Sequence, residues 1–148
     1  VKLASVRSGI GENMEDRYLF KAKRTDNGEW VQGYLVYDNR DKLYRIIMDI
    51  QYSTGTCITT DNAPRVDSST ICQCTGLKDK NGKLIWENDI IKCKFGIAVV
   101  VWDKSEWRIK LVKDNIWRKD LHYWVVEDNQ RTEVVGNIFD NPELLESE

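Results

Sequence analysis

The sequence has few of the residues that interrupt strands, and almost none of the residue most often used in acid–base catalysis. Its 148 residues include two prolines and one histidine. No apolar run approaches the roughly 18–20 residues that a membrane-spanning helix needs. No basic segment precedes an apolar one, as it would in a secretory signal. We therefore predict a cytoplasmic protein with no membrane partner.

The sequence also lacks an excess of charge of one sign. Its 22 basic and 24 acidic residues give a net charge of −2, which excludes a molecule-wide attraction to phosphate backbones. Six Trp, six Tyr and three Phe supply the bulky side chains of a globular core. We place one β domain at residues 14–148, with possible subdomains at 14–75 and 76–148. Residues 1–13 show no sustained period and are predicted to be an N-terminal extension.

Short strands separated by hairpin turns dominate the first half of the chain. Two β-forming stretches, residues 17–23 and 30–37, flank Asn27-Gly28. This dipeptide tolerates the positive φ angles that a two-residue hairpin turn requires. Gly33 interrupts the second strand and is interpreted as a bulge. A third strand follows at residues 43–48, so this half is predicted to be an antiparallel meander.

The second half alternates more regularly. Residues 97–102 are nearly all apolar, which predicts a strand buried on both faces. Residues 107–111 alternate apolar side chains with Arg108 and Lys110, the pattern of a strand with one wet face. Asn141-Pro142 provides an N-cap and an N-terminal proline for a short C-terminal helix at residues 142–146. We predict a mainly β fold of antiparallel meanders, with barrel-like closure to remove strand edges.

Three stretches of the sequence resemble the YopX family, and they occur in that family's order. The first contains YLFKAKR and DNGEWVQG, within residues 18–33. The second contains QCTGLKDKNGK and IWENDII, within residues 73–91. The third is EVVGNIFDNPELL, residues 133–145. Each stretch alone is weak, but together they are specific and span most of the chain.

The resemblance implies a setting and a fold, and no reaction. YopX-family proteins are encoded largely by bacteriophages and prophages, have a β-rich, barrel-like fold that self-associates, and have no established activity. Two positions depart from the pattern: Cys74 stands where the family usually has an aromatic residue, and Asn88 where it has glycine. Because asparagine tolerates positive φ better than most residues, Asn88 predicts a left-handed turn. The segment that follows Asn88 also resembles the entry to SH3-like barrels.

Four cysteines raise the question of a zinc site. Cys72 and Cys74 lie two residues apart in a predicted strand, so both thiols should point to one face. Structural zinc sites more often take two pairs of ligands from turns, and no second pair is present. We interpret the cysteines as small packed hydrophobes in a reducing compartment, and predict no metal and no cofactor. The four are Cys57, Cys72, Cys74 and Cys93.

No catalytic constellation can be assembled from the sequence, so a non-enzymatic protein is predicted. His122 lies in an aromatic stretch and is interpreted as a packing or hydrogen-bonding residue. Glu87 and Asp89 lie beside a predicted turn, where carboxylates usually accept hydrogen bonds from backbone amides. There is no nucleophile elbow and no glycine-rich phosphate loop. An enzyme with a site assembled from distant loops is the least favoured alternative.

A basic stretch at residues 104–119 is the most specific candidate site. It contains six basic and two acidic residues, with Trp107 and Trp117 among them. Cations interleaved with aromatic rings can follow a single nucleic-acid strand by charge and stacking. The alternation around Trp107 equally fits an ordinary strand with that ring in the core. The candidate nucleic-acid-binding residues are Lys104, Arg108, Lys110, Lys113, Arg118 and Lys119.

The last part of the chain is acidic. Residues 127–148 contain seven acids and one arginine, so a basic and an acidic region could associate between copies of the chain. We predict a phage-derived binding module that acts by protein–protein contact, with a host or phage protein and with itself as a homo-oligomer. The alternative is an accessory protein that binds nucleic acid through residues 104–119.

Overall fold

The computed structural model describes residues 16–48, 63–113, 118–128 and 131–146. These residues are mainly β, with short 3-10 and π-helical turns between the strands. No helix among them is long and apolar enough to cross a membrane. The predicted extension at residues 1–13 lies outside these ranges. The strands are β1 (Phe20–Lys23), β2 (Trp30–Asp38), β3 (Leu43–Ile47), β4 (Cys72–Lys78), β5 (Leu84–Trp86), β6 (Asp89–Cys93), β7 (Gly96–Asp103), β8 (Glu106–Leu111) and β9 (Glu133–Asn137).

All strand pairs are antiparallel. They hydrogen-bond in the orders β3-β2-β1-β4-β5 and β8-β7-β6-β9. The prediction of a mainly β fold built from antiparallel meanders is confirmed. The predicted barrel-like closure is not found, because the described strands form two open antiparallel sheets. The described residues divide into two compact units, one within residues 18–73 and one within residues 74–146 together with Asp16 and Arg17, and each unit is described by itself.

The unit of residues 18–73 contains the predicted meander of β1, β2 and β3. Its core is formed by Ala22, Ile46 and Val66, with half-buried aliphatic and aromatic side chains packed around them. Residues 64–67 hydrogen-bond on both sides: the amide of Val66 donates to Tyr44 O of β3, and that of Asp67 to Lys23 O of β1. These hydrogen bonds cover part of the edge that β1 and β3 would otherwise leave unpaired.

Gly33 is required for a close backbone approach, and the predicted bulge there is not found. The β1–β2 register runs without a shift from Phe20↔Gly33 to Lys23↔Trp30. A Cβ atom on Gly33 would lie 2.2 Å from the carbonyl oxygen of Ile47 on the neighbouring strand. Any side chain at this position would therefore push β2 and β3 apart.

Arg45 is a buried cation in the β2–β3 hairpin. Its guanidinium donates hydrogen bonds to Asp38 Oδ2 at 3.1 Å, Asp41 Oδ2 at 2.7 Å and the carbonyl of Ala63 at 2.9 Å. Burial alone would raise the pKa of Asp38. Hydrogen bonds from the amides of Arg40 and Asp41 and from Arg45 outweigh that burial and hold the pKa below its ordinary value.

The unit that contains residues 74–148 is built around the sheet β8-β7-β6-β9. One face of this sheet carries the core, which includes Ile91, Ala98, Val100 and Ile109. Strand β7 alternates instead of being buried on both faces. Ala98 and Val100 are inaccessible, whereas Ile97, Val99 and Val101 are half-buried. The prediction for residues 97–102 is wrong in this respect. The wet face predicted for residues 107–111 is confirmed, because Ile109 and Leu111 are buried and Lys110 is exposed.

Two turns of this unit depend on a single polar residue each. Asn88 has φ of 67°, so the predicted left-handed turn is confirmed. Asp79 is buried, and its carboxylate accepts hydrogen bonds at 2.9 Å from the backbone amides of Asn81, Lys83 and Val134. The first two bonds shape the β4–β5 turn, and the third fastens that turn to β9 across 55 residues of chain.

The C-terminal helix is shorter and tighter than predicted. Residues Pro142–Leu145 form a 3-10 turn. Asn141 does not cap it, because its Oδ1 instead accepts a hydrogen bond from the amide of Asn137 at 3.2 Å. A Cβ atom on Gly136 would lie 2.5 Å from that same oxygen. The glycine therefore leaves the room in which Asn141 fastens the turn to β9.

Candidate functional site

The β7–β8 hairpin is the part of the predicted basic stretch that the structure describes completely. Its strands pair directly from Ala98↔Leu111 to Asp103↔Glu106, leaving Lys104 and Ser105 as the two turn residues. Both have positive φ angles, 52° and 62°, as a two-residue turn compatible with strand twist requires. Neither is glycine or asparagine, so the two turn residues adopt positive φ angles that their side chains disfavour.

Two tryptophans lie opposite each other next to this turn. Trp102 and Trp107 meet edge to face, with ring centroids 5.0 Å apart and an interplanar angle of 70°. Trp107 packs against the core of the unit, as its alternation with Ile109 predicts. Trp102 lies beyond the end of that core and is 56% exposed. The hairpin therefore holds a large aromatic side chain at the surface, supported from one side by a second ring.

Acidic side chains surround the arginine of this hairpin. Arg108 forms an ion pair with Glu106 and lies 3.9 Å from the carboxylate of Asp103. Its side chain is only 19% exposed, so the guanidinium is largely occupied within the hairpin. Lys104 and Lys110 are exposed.

The remaining basic residues of the predicted stretch lie on the connection after β8. Lys113 is exposed. Arg118 donates to Asp120 Oδ1 at 3.0 Å and stacks on the ring of Tyr123 at 3.9 Å. Lys119 is half-buried, and its carbonyl accepts a hydrogen bond from the amide of Ile109. Trp117 lies outside the described residues.

The two arginine pairings lower the effective positive charge of this surface. Each arginine lies beside a carboxylate just outside residues 104–119, at Asp103 and Asp120. Residues 103–120 contain six basic and four acidic residues, a net charge of +2. This net charge is half of the +4 counted over residues 104–119 alone.

The cysteines fit the packing interpretation at the positions that are described. Cys72, Cys74 and Cys93 are buried, and Cys57 lies outside the described residues. Burial raises the pKa of the Cys93 thiol, against the lowering effect of the Phe95 and Gly96 amides. Within residues 16–48, 63–113, 118–128 and 131–146, no cluster of three or more Cys, His, Asp or Glu side chains could hold a metal ion.

The three residues considered for acid–base chemistry have different outcomes. Asp89 is buried and accepts a hydrogen bond from the amide of Trp86 at 2.8 Å, as predicted for a turn carboxylate. Glu87 is half-buried beside it. His122 is exposed, with Nδ1 3.7 Å from a carboxylate oxygen of Glu127. Of the two roles predicted for it, packing or hydrogen bonding, packing is therefore wrong.

A second surface was missed by sequence reasoning, although the signal was present. The β1–β2 register places Lys23 opposite Trp30 and Lys21 opposite Gln32. Both lysine ammonium groups lie over the Trp30 ring, 4.8 Å from its centroid for Lys21 and 5.4 Å for Lys23. The signal was that Lys21 and Lys23 alternate in the strand next to the one that begins at Trp30. A two-residue turn at Asn27-Gly28 would have placed Lys23 opposite Gln32, whereas the observed four-residue loop, residues 25–28, places it opposite Trp30. Sequence reasoning looked for dense runs of charge, whereas here the charge is gathered across two strands.

The sequence matches a known family over nearly its whole length. Residues 19–146 match the family described as YopX protein. The chain belongs to the YopX family. The three stretches that resembled this family are thereby confirmed as members of one continuous match, which also contains the Trp102 hairpin and the Lys21–Trp30 surface.

Comparison with other proteins places this YopX-family chain beside a known fold. It is similar to the crystal structure of protein EF1440 from Enterococcus faecalis, with 26% sequence identity and a TM-score of 0.53. The similarity covers 85% of this chain and 96% of that one. No curated protein matches the chain. The fold is thus shared with a solved protein, and its function has to be argued from the surface of the YopX-family chain itself.

Proposed function

We propose that this YopX-family chain is a non-enzymatic binding module that acts by protein–protein contact, including contact with copies of itself. The observation that carries the proposal is the exposure of Trp102 at the turn of the β7–β8 hairpin. Tryptophan is among the residues most enriched at the energetic centres of protein interfaces. A ring that is 56% exposed loses much apolar surface to a partner when it is covered.

Preorganisation makes Trp102 a better anchor than an isolated surface aromatic residue. Its ring already rests against Trp107, so binding costs little side-chain entropy. The adjoining turn keeps Lys104 and Ser105 in left-handed conformations. Strain of this kind persists only where surrounding structure imposes it, and it concentrates at binding and catalytic sites.

Covered strand edges favour contact through side chains over addition of a strand. On β8, the amide of Ile109 already donates to the carbonyl of Lys119. On β9, the amide of Val134 donates to Asp79, and just before this strand the carbonyl of Thr132 accepts from the amide of Lys80. A partner that adds a strand would have to displace these bonds. Trp102 can be covered without breaking any of them.

The setting of the module is part of the same proposal. Family membership supports a bacteriophage or prophage origin and action in the host cytoplasm, with a host or phage protein as partner and a homo-oligomeric state. An SH3-like relation, suggested by the turn at Asn88 and the hairpin that follows, agrees with a binding role by analogy. No step of the proposed function requires a metal or a cofactor.

The test compares two exposed aromatic residues of the same unit. Phe95 is 47% exposed beside the β6–β7 turn and, like Trp102, meets a second aromatic ring edge to face. We expect Trp102→Ala to weaken self-association at least about 30-fold, the loss typical of an interface anchor, and Phe95→Ala to change it much less. Sedimentation equilibrium of both variants over a range of concentrations measures this difference.

Affinity purification from phage-carrying cells after nuclease treatment extends the comparison to other proteins. A host or phage protein that is retained by wild type and Phe95→Ala, and lost with Trp102→Ala, supports the proposal. Equal behaviour of the two variants in both measurements contradicts it, because the contact then lies elsewhere.

Nucleic-acid binding through residues 104–119 is the second candidate function. The exposed Lys104 and Lys110 on the hairpin favour it, and the carboxylates beside Arg108 and Arg118 weaken it. Binding of this kind should fall steeply with added salt. It should also be lost in the double variant Arg108→Glu/Lys110→Glu. Retained binding in that variant excludes this surface.

A further inference from the structure

The β2–β3 hairpin repeats the architecture of the β7–β8 hairpin. Tyr37 lies opposite Tyr44 in the strand register, as Trp102 lies opposite Trp107. Each pair of rings meets edge to face with centroids 5.0 Å apart. In each pair the second ring packs against the core of its own unit, and the first is about half exposed, 46% for Tyr37. Each unit therefore presents one exposed ring that is supported by another.

The residues that follow the rings also correspond. An aspartate comes directly after each exposed ring, and an arginine followed by a buried isoleucine comes directly after each packed ring. Across the hairpin, a carboxylate oxygen lies 3.1 Å from the guanidinium in the pair Asp38–Arg45 and 3.9 Å in the pair Asp103–Arg108. Because the loop has four residues in the first hairpin and two in the second, only the strand register aligns the two motifs. We name them the Tyr37 hairpin (residues 37–46) and the Trp102 hairpin (residues 102–109).

The charges that reach the surface of the Trp102 hairpin are mainly acidic. Asp103 and Glu106 are exposed, whereas Arg108, which lies near both carboxylates, is largely covered. Lys104 in the turn is the exposed cation of this hairpin. A partner that covers Trp102 therefore meets two carboxylates and one ammonium group.

The Tyr37 hairpin has the opposite distribution of surface charge. Its aspartate next to the exposed ring, Asp38, is buried, and Asp41 is the exposed carboxylate. The exposed cations are Arg40 and Lys42 of the loop and Arg65, which bridges to the edge of β3. Arg40 and Arg65 lie close to carboxylates, so the contrast lies in the net charge that reaches the surface. A partner that covers Tyr37 meets three cations and one carboxylate.

We propose that the Tyr37 hairpin of one copy of the chain binds the Trp102 hairpin of another copy. This inference rests on the proposed function, in which Trp102 is the contact for self-association, and it names the surface that Trp102 meets on the second copy. The two exposed rings cover each other, and the acidic surface of one hairpin lies against the basic surface of the other. A contact between two Trp102 hairpins would instead bring two surfaces of the same net charge together.

A contact of this kind is heterologous, because the two surfaces that meet are different. A copy that binds through its Tyr37 hairpin still has its Trp102 hairpin for a third copy. Copies therefore add in series, and the series either closes into a ring or continues as a filament. The assembly is expected to grow beyond a dimer as the concentration rises.

The experiment measures self-association of the whole chain by sedimentation equilibrium. Tyr37→Ala should weaken self-association at least about 30-fold, as Trp102→Ala does, because each removes one of the two interface anchors. Tyr34→Ala is the matched control. Tyr34 is exposed to a similar degree on the same strand, but on the opposite face, and its loss should change the association constant less than about twofold. Thermal melts confirm that each variant is folded.

A charge variant keeps the test independent of the Tyr37–Tyr44 packing. Lys42→Glu leaves both rings in place and reverses one exposed charge of the Tyr37 hairpin. It should weaken self-association about two- to fivefold at low salt, the range expected of an exposed ion pair. The effect should shrink at high salt, because exposed charges are then screened.

Mixing the two alanine variants tests the pairing of the hairpins directly. Tyr37→Ala keeps an intact Trp102 hairpin, and Trp102→Ala keeps an intact Tyr37 hairpin. Neither variant should associate with itself, and an equimolar mixture should form a heterodimer and no larger species. A fluorescent label on one variant identifies the heterodimer in sedimentation velocity.

Three results would overturn this inference and leave the proposed function in place. In each of them Trp102→Ala still weakens self-association. The first is wild-type association of folded Tyr37→Ala together with folded Lys42→Glu, the second is equal weakening by Tyr34→Ala and Tyr37→Ala, and the third is a mixture of the two folded alanine variants that forms no heterodimer. Unchanged association of Trp102→Ala would contradict the proposed function itself, and this inference with it.

Discussion

The β1–β2 and β7–β8 turns both reverse the chain between antiparallel strands, through four residues (25–28) in the first and two (104–105) in the second. Both join neighbouring antiparallel strands through backbone conformations with positive φ. In the β1–β2 turn, Gly28 has φ of 72°, and Asn27 Oδ1 accepts a hydrogen bond from the amide of Glu29. In the β7–β8 turn, Lys104 and Ser105 adopt positive φ without glycine or asparagine. The β1–β2 turn therefore has glycine, which tolerates positive φ, where that conformation occurs, whereas the β7–β8 turn has residues that disfavour it.

At the β7–β8 turn, contacts between the strands override the local conformational preference of the turn residues. A left-handed conformation costs a non-glycine residue about 1–2 kcal/mol, and here two adjacent residues adopt it. The register from Asp103↔Glu106 inward and the Trp102–Trp107 pair impose the conformation. Departures from local preference collect at binding sites, and this one adjoins the proposed contact residue. The β2–β3 and β4–β5 turns offer a third solution, in which a buried carboxylate organises the backbone.

The largest effect is expected at the β4–β5 turn. Asp79→Ala removes the acceptor of three backbone amides, at Asn81, Lys83 and Val134. Loss of hydrogen bonds to a buried carboxylate should lower the free energy of unfolding by about 3 kcal/mol, measured by urea denaturation. Asp79→Asn keeps one acceptor oxygen and should cost clearly less. Equal losses in the two variants would show that the side chain acts by packing alone.

At the β1–β2 turn, a single methyl group should be harmful. No atom lies within 4 Å of the Cβ position of Gly28, so Gly28→Ala meets no steric obstacle. The expected loss of about 1 kcal/mol in the free energy of unfolding comes from the positive φ angle alone. An unchanged denaturation midpoint would mean that this turn relaxes to another conformation.

At the β7–β8 turn, the reverse substitution should have the opposite sign. Ser105→Gly relieves a residue at φ of 62°. The gain is partly offset by the larger entropy of glycine in the unfolded chain, so stability should rise by about 0.5 kcal/mol. Self-association should not change, because Trp102 is untouched. A loss of stability would show that the Ser105 side chain makes a contribution that outweighs the strain.

At the β2–β3 turn, the expected effect is on the pH dependence of stability. The pKa of Asp38 is lower in the folded protein than its ordinary value of about 3.9. The stability that this carboxylate contributes is therefore complete above about pH 4 and is lost as the pH falls through the folded value. Acid denaturation followed by circular dichroism should show a shallower loss of stability below pH 4 in Asp38→Asn than in wild type. Parallel curves would exclude Asp38 as a source of the acid sensitivity.

Much of the fold could be predicted because the signals are local. Asn88 has positive φ, and Ile109 and Leu111 are buried where their alternation places them. The predicted hairpin at Asn27-Gly28 is found, but its loop has four residues and only Gly28 of the pair has positive φ. Predictions that needed knowledge of neighbouring strands failed. Gly33 was interpreted as a bulge because the sequence does not show what lies beside it. The carbonyl oxygen of Ile47, on another strand, is 2.2 Å from the position that a Cβ atom would take. The same reason left Asp103, which lies on the strand beside Arg108, out of the charge count at residues 104–119.

The sequence by itself determined the class of fold, the YopX family and the residues that form most turns, because these depend on alternation and on backbone preferences of single residues. Tertiary structure alone decided which side chains meet. Strand pairing gathered Lys21, Lys23 and Trp30 from two strands, placed the carboxylate of Asp103 near Arg108, and left Trp102 beyond the end of the core. Surface charge and exposure are sums over spatial neighbours, and spatial neighbours are fixed only when the strands have paired.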